Sequence, residues 1–226
     1  MRTFCWLVVA TCLGTGCDLA GSAAAVQATP ADAESVTSLA TRQQGEDWPS
    51  FLGPTADSKS RESGLVSPWP PGGPRVVWKK PAGTGYGIGS VAKGRYYQFD
   101  RHDVRRNAGM ARLTCMHAET GEEVWRFEYP SAYEDLLGYN NGPRASPVID
   151  EDRVYTYGVE GMLHCIHAVT GKLVWKVDTA AEFHVVQNFF GVGSTPVIYG
   201  DLLICMVGGS PPGTRGLYES YGGVEG

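Results

Sequence analysis

Three observations in the 226-residue sequence predict an all-β fold built from repeated four-stranded antiparallel sheets. First, thirty glycines and fourteen prolines make up about a fifth of the chain, which argues against a coiled coil or helical bundle, while 42% apolar content argues against wholesale disorder. Second, runs such as Arg153-Val154-Tyr155-Thr156-Tyr157 and Leu163-His164-Cys165-Ile166 alternate as half-buried strands do. Third, residues 113–125 (LTCMHAETGEEVW) and 163–175 (LHCIHAVTGKLVW) match at eight positions with an offset of 50. Upstream, Ala145-Ser146-Pro147-Val148-Ile149 recurs as Ser194-Thr195-Pro196-Val197-Ile198, and Gly89-Ser90-Val91 is a fainter third copy. Four-stranded units of this period, each needing a neighbour to bury its apolar face, predict the blades of a partial β-propeller.

The elements follow in order. The opening MRTFCWLVVATCLGTGC has one charge at Arg2, an apolar run from Phe4 to Leu13 too short for a permanent span, and small residues before Cys17. This is the layout of a secretory signal over residues 1–17. Two cleavage sites compete, one just before Cys17 and one near residue 25, after Ala23-Ala24-Ala25. Gly-Thr-Gly ahead of Cys17 resembles a bacterial lipobox, with Gly14 standing where that pattern prefers Leu. Cys17 is therefore the candidate lipidation site, and one acylated cysteine would tether the chain rather than span the bilayer. Asp18 beside it would resemble a signal for retention on the inner membrane. From about Val26 to Glu46 there is almost no large apolar residue, so residues 18–46 read as a disordered, solvated linker and the fold begins near Asp47.

Within each repeat a small-residue strand opened by Pro147 or Pro196 leads through a turn to a second strand, a third strand, a Thr-Gly turn and a last strand ending in Trp. Thr120-Gly121 and Thr170-Gly171 sit where a hairpin needs positive φ, which Gly supplies without steric cost. Trp125 and Trp175, four residues after each turn glycine, are plates that a neighbouring unit must cover. Cys115, Cys165 and Cys205 lie in apolar strand contexts and read as small buried hydrophobes, since three is an odd number for a disulfide framework.

The segments His117-Ala118-Glu119-Thr120-Gly121-Glu122-Glu123-Val124-Trp125 and His167-Ala168-Val169-Thr170-Gly171-Lys172-Leu173-Val174-Trp175 resemble the tryptophan-docking motif of pyrroloquinoline-quinone (PQQ) repeats, with His117 and His167 in place of the usual Asp. The same repeat occurs in quinoprotein dehydrogenases and in BamB-like lipoproteins of the outer-membrane assembly machinery. Asp47 to Pro54 (DWPSFLGP) resembles the leader before the propeller in exported bacterial members of the family. The resemblance covers about Asp47 to Gly226 and implies an incomplete ring. An outer strand near 75–79 bearing Trp78 lacks inner partners, blades run over about 86–127 and 144–177, and a partial blade occupies 194–226. The expectation is an N-terminal fragment with exposed edges.

The dehydrogenase members imply a Ca²⁺ cage, a catalytic aspartate and commonly adjacent cysteines. No Cys-Cys occurs, and Glu122-Glu123, Glu134-Asp135 and Asp150-Glu151-Asp152 fall at turns, where solvated charge is the ordinary reading. No catalytic or metal residue and no cofactor is assigned. His164, His167 and Cys165 read as structural, and Gly83 to Gly89 reads as a loop into the first inner strand rather than a phosphate cradle. Arg101 to Arg106 reads as a solvated insertion loop, with a small basic contact for a partner or lipid headgroup as the alternative. The formal charge of −5 argues against a nucleic-acid partner. Two long aromatic linkers between blades form the candidate binding rim: Tyr133, Tyr139 and Asn140 in one, Phe183, Phe189 and Phe190 in the other. The leading expectation is an exported, membrane-tethered, BamB-like scaffold of the periplasm or cell envelope that binds a protein or peptide without catalysis. The alternative is a PQQ-dependent quinoprotein dehydrogenase whose PQQ and Ca²⁺ site lies largely in missing blades, and a third reading is a relic.

Overall fold

The computed structural model describes residues 36–41, 45–103, 109–186 and 190–208, together with the backbone of residues 6–10, 23–25, 104, 105 and 108. Cys17, Phe189 and residues 209–226 lie outside the described residues, as does most of the expected signal. Within the signal and the segment after it, two short strands are described, β1 (Trp6–Ala10) and β2 (Ala23–Ala25).

The body is nearly all β. The first sheet runs β3 (Ser90–Ala92), β4 (Arg95–Arg105), β5 (Ala108–His117) and β6 (Glu123–Ser131), each antiparallel to the next. The second repeats that order with β7 (Val148–Asp150), β8 (Arg153–Tyr157), β9 (Met162–His167) and β10 (Leu173–Asp178). A four-residue helix, α1 (Thr179–Glu182), follows, capped by the Asp178 carboxylate, which accepts from the Ala181 N–H. The third sheet holds the hairpin β11 (Val197–Tyr199) and β12 (Leu202–Met206), with β1 running parallel along the free side of β12 and β2 beyond it. The architecture is that of consecutive propeller blades.

The blades stack through apolar faces set by strand alternation. Tyr97, Phe99, Leu113 and Cys115 of the first sheet, with Trp125 and Phe127, pack on Val154, Ile166 and Ala168 of the second. The opposite face of the second sheet, Tyr155, Tyr157, Leu163 and Cys165 with Trp175, packs on Leu203, Cys205 and Val207. All three body cysteines are free and buried, and burial pushes the Cys115 thiol up to about 12.

The Thr-Gly turns explain how the tryptophans dock. Each outer strand carries a bulge just before its indole, where Val124 and Val174 have no ladder partner. Gly171 has φ of 69°, and a Cβ there would lie 2.7 Å from Trp125 Cδ2, so the glycine is needed both for the turn and for the indole plate above it. The Trp125 Nε1–H donates to the Ala168 carbonyl at 3.0 Å. Trp78 repeats this arrangement one unit earlier, donating to the Ala118 carbonyl at 2.9 Å above Gly121. His117 Nδ1 accepts from the Glu119 N–H, and His167 Nδ1 from those of Val169 and Thr170, which puts both imidazoles in the turns as structural acceptors.

Three expectations change. Residues 75–79 join no ladder among the described residues, although Trp78 is docked, because no neighbouring strand is described beside them. Arg101 to Arg105 is not an insertion loop but the far end of β4, since β4 and β5 form a hairpin nearly twice as long as β8 and β9. Residues 36–41, read as linker, lie against the first blade: the Leu39 N–H donates to the Lys93 carbonyl at 2.9 Å, Arg95 Nη1 to that of Thr37, and both Thr41 donors reach Glu119. The leader after them crosses two blades. Trp48 bridges Val91 on β3, while the Ile149 N–H on β7 donates to the Pro49 carbonyl at 2.8 Å.

Candidate binding rim

The expected rim is formed by the two segments that carry the chain from one blade's outer strand to the next blade's inner strand, residues 132–147 and 179–196. The first is tightly built. The Asp135 carboxylate accepts from the Leu137 and Tyr139 N–H groups and from Arg144 Nη2 at 2.9 Å, while the Asp135 N–H donates to Asn141 Oδ1. Arg144 lies over the rings of Tyr133 (4.9 Å) and Tyr86 (5.5 Å). From β4, the buried Arg101 donates through Nη1 to the carbonyls of Tyr133 and Asn141 and through Nε to Asp103. Arg101 is thus committed inside the fold and does not offer a basic surface contact.

The glycine-rich strip Gly83 to Gly89 feeds the same region. Thr84 bridges Arg101, the Tyr86 N–H donates to the Pro143 carbonyl, and the Ile88 N–H donates to Ser146 Oγ. A Cβ at Gly83, Gly85 or Gly87 would meet the carbonyls of Arg101, Pro143 or Ala145, so these glycines serve close backbone packing.

The expected rim residues divide. Tyr139 and Phe190 are exposed; Asn140 caps its own turn by accepting from the Gly142 N–H; Tyr133 and Phe183 point inward. Between the linkers lies a cavity of about 410 Å³, lined on its apolar side by Leu136, Val159, Val185, Val186, Val192 and Val207. The Val192 N–H donates to the Val159 carbonyl, holding the second linker against the β8–β9 turn. Among the described residues two carboxylates, Glu134 and Glu160, and no Lys or Arg line the cavity, and Glu160 accepts from the Ala132 N–H. The expected aromatic residues lie on the two linkers that border this cavity, and the valines of its walls were not among them.

At the preceding interface, Tyr129 covers Gly158, with its ring centroid 4.4 Å from that of His164. Tyr129 Oη, Thr156 Oγ1 and His164 Nδ1 are buried without a hydrogen-bond partner. Burial, with the Lys176 charge adding to it, holds the imidazole down to about 4. Among the described residues no three His, Cys, Asp or Glu side chains converge, so none of them fits the six or more oxygens that a Ca²⁺ ion takes. No described helix is long and apolar enough to cross a membrane.

Residues 109–210 match the family model described as outer membrane protein assembly factor BamB, a PQQ-repeat model. Residues 109–210 are thus a stretch of PQQ-like repeats. No curated protein matches the chain. Solved structures similar to it include a quinohemoprotein alcohol dehydrogenase from Pseudomonas putida HK5, at 18% identity and a TM-score of 0.35, covering 51% of this chain and 16% of that one. BamB from Moraxella catarrhalis is similar at 14% identity and a TM-score of 0.28, covering 52% and 40%. A europium-containing methanol dehydrogenase is similar at 13% identity and a TM-score of 0.24, covering 46% and 27%. The matched region therefore spans well under two thirds of each of these proteins.

Proposed function

We propose that this PQQ-like chain is an exported scaffold of the cell envelope that binds a protein partner on the rim between its blades and carries out no catalysis. The reading is supported by the family match over residues 109–210, whose description is an outer-membrane assembly factor. The observation that carries it is the rim itself. A linker fixed by two committed arginines and a buried carboxylate is organised well beyond what chain reversal requires, and it borders a cavity of mixed valine and carboxylate lining that a partner could enter. Acylation of Cys17 would keep the chain at a membrane surface.

Photo-crosslinking from position 139 in intact cells tests this reading. A discrete envelope-protein adduct is expected from Tyr139 and none from the opposite end of the blades at Lys172, and equal labelling from both positions would count against it. PQQ and Ca²⁺ added to the purified chain should give no dye-linked alcohol oxidation; turnover would favour the dehydrogenase alternative.

A further inference from the structure

We infer that the first blade carries a dedicated clip for an extended stretch of the chain itself, residues 37–41, and that this clip sets the point at which the body takes hold of the N-terminal chain. The second blade supplies the comparison. Its strands β8 and β9 pair Arg153 with His167, as β4 and β5 pair Arg95 with His117, so Lys93, Gly94 and Glu119 correspond to Glu151, Asp152 and Val169. The backbone frame is common to both. The Gly94 carbonyl accepts from the Ala118 N–H and the Asp152 carbonyl from the Ala168 N–H, each at 2.8 Å.

The side chains that differ are those the segment needs. A Cβ at Gly94 would lie 2.1 Å from the Ala40 nitrogen, so the docked backbone passes where only glycine leaves room. In the second blade the same position is Asp152, whose carboxylate accepts from Arg153 Nη1 at 2.6 Å and lies 3.8 Å from His167 Nε2. With no carboxylate at position 94, the buried Arg95 donates instead to the Thr37 carbonyl at 2.8 Å. Glu119 holds the other end of the segment, accepting from the Thr41 N–H at 2.8 Å and from its hydroxyl at 2.6 Å. Val169, its counterpart, has no side-chain acceptor to offer. Lys93 ties the segment to the leader: its carbonyl accepts from the Leu39 N–H at 2.9 Å, and its own N–H donates to the Asp47 carboxylate at 3.0 Å. Opening the clip would therefore move the hold on the chain from Val36 back to Asp47.

Amide hydrogen exchange on the full chain tests this. Leu39 and Thr41 should be protected in the native chain, and both should exchange about tenfold faster or more in Glu119→Val, which installs the second blade's residue. Gly94→Asn should do the same, since Asn tolerates the φ of 71° there and adds only the obstructing side chain. Amides of β5 and β9 should be unchanged in both. If either variant loosens the whole blade, Leu39→Pro decides, because it alters the segment and leaves the blade intact; Thr41 should again exchange about tenfold faster. Unprotected Leu39 and Thr41 amides in the native chain overturn the inference, as does protection that survives Glu119→Val and Gly94→Asn or, at Thr41, Leu39→Pro. The measurement involves no partner, so its failure leaves the scaffold reading to the crosslinking from position 139, and the failure of that crosslinking leaves the clip standing.

Discussion

At the scale of single residues, the first blade interface carries a cost that can be measured. Tyr129 Oη has no partner, so removing it should lose no hydrogen bond. Tyr129→Phe is expected to leave stability within about 0.5 kcal/mol or to raise it slightly, as read by urea denaturation. A loss of about 2 kcal/mol or more would mean that the hydroxyl is satisfied. His164 beside it is held neutral, with its pKa lowered from 6.5 to about 4 by burial and by Lys176. The unfolded chain therefore takes up a proton first as pH falls. The stability present above pH 6.5 is lost between there and about pH 4, by up to about 3 kcal/mol. Repeating the denaturation series from about pH 7.5 to about pH 4.5 with His164→Phe should flatten that slope; an unchanged slope would place its origin elsewhere. Neither the unpaired hydroxyl nor the depressed imidazole was legible in the sequence, where His164 reads only as one residue of an alternating strand. Their pairing across two blades depends on a contact between residues 35 positions apart.

At the scale of elements, strands were legible where local pattern and packing agree and were misread where they part. The Thr-Gly turns and the inner strands opened by proline could be read directly, because each is fixed by residues within a few positions of one another, and the docking tryptophans because their spacing from those turns recurs, although each docks on a unit some forty residues further on. The far half of β4 could not. Arg101, His102 and Asp103 look like solvated loop residues, yet Arg101 is drawn inward by the carbonyls of the following linker, a partner some thirty residues away. The expected rim aromatics divide: of the four that are described, Tyr133 and Phe183 pack inward, while Tyr139 and Phe190 are exposed. What holds the first linker is the Asp135–Arg144 pair, whose side chains are 1% and 10% exposed. Asp135→Asn keeps the shape and strands the guanidinium, so a loss of about 3–5 kcal/mol is expected. Faster hydrogen exchange at Leu137 and Tyr139, whose amides donate to that carboxylate, should accompany it. Protection unchanged at both amides would show that the linker is held some other way.

At the scale of the whole molecule, the fold class was readable because repetition multiplies a weak local signal, and a pattern seen once in a short strand becomes an architecture when it returns fifty residues later. The segment before the blades was not readable in this way, since residues 36–41 have no repeat to compare and few apolar side chains to betray their docking. Cys17→Ser tests the proposed tether. The chain should move from the membrane fraction to the soluble periplasmic fraction, and an unchanged distribution would remove lipidation from the account. The docked segment has a geometric consequence if that tether exists. It leaves the body beside Lys93 and Glu119, at the turns where β3 meets β4 and β5 meets β6, whereas the interblade linkers emerge from the other end of the same strands. Val36, where the docked segment begins, lies nineteen positions after Cys17, a leash of at most about 65 Å if β2 (Ala23–Ala25) leaves the third sheet and the stretch is fully drawn out. A molecule moored by that leash would have its anchor at one end of the strands and its grooved end at the other, left free to meet whatever passes through the aqueous space beyond.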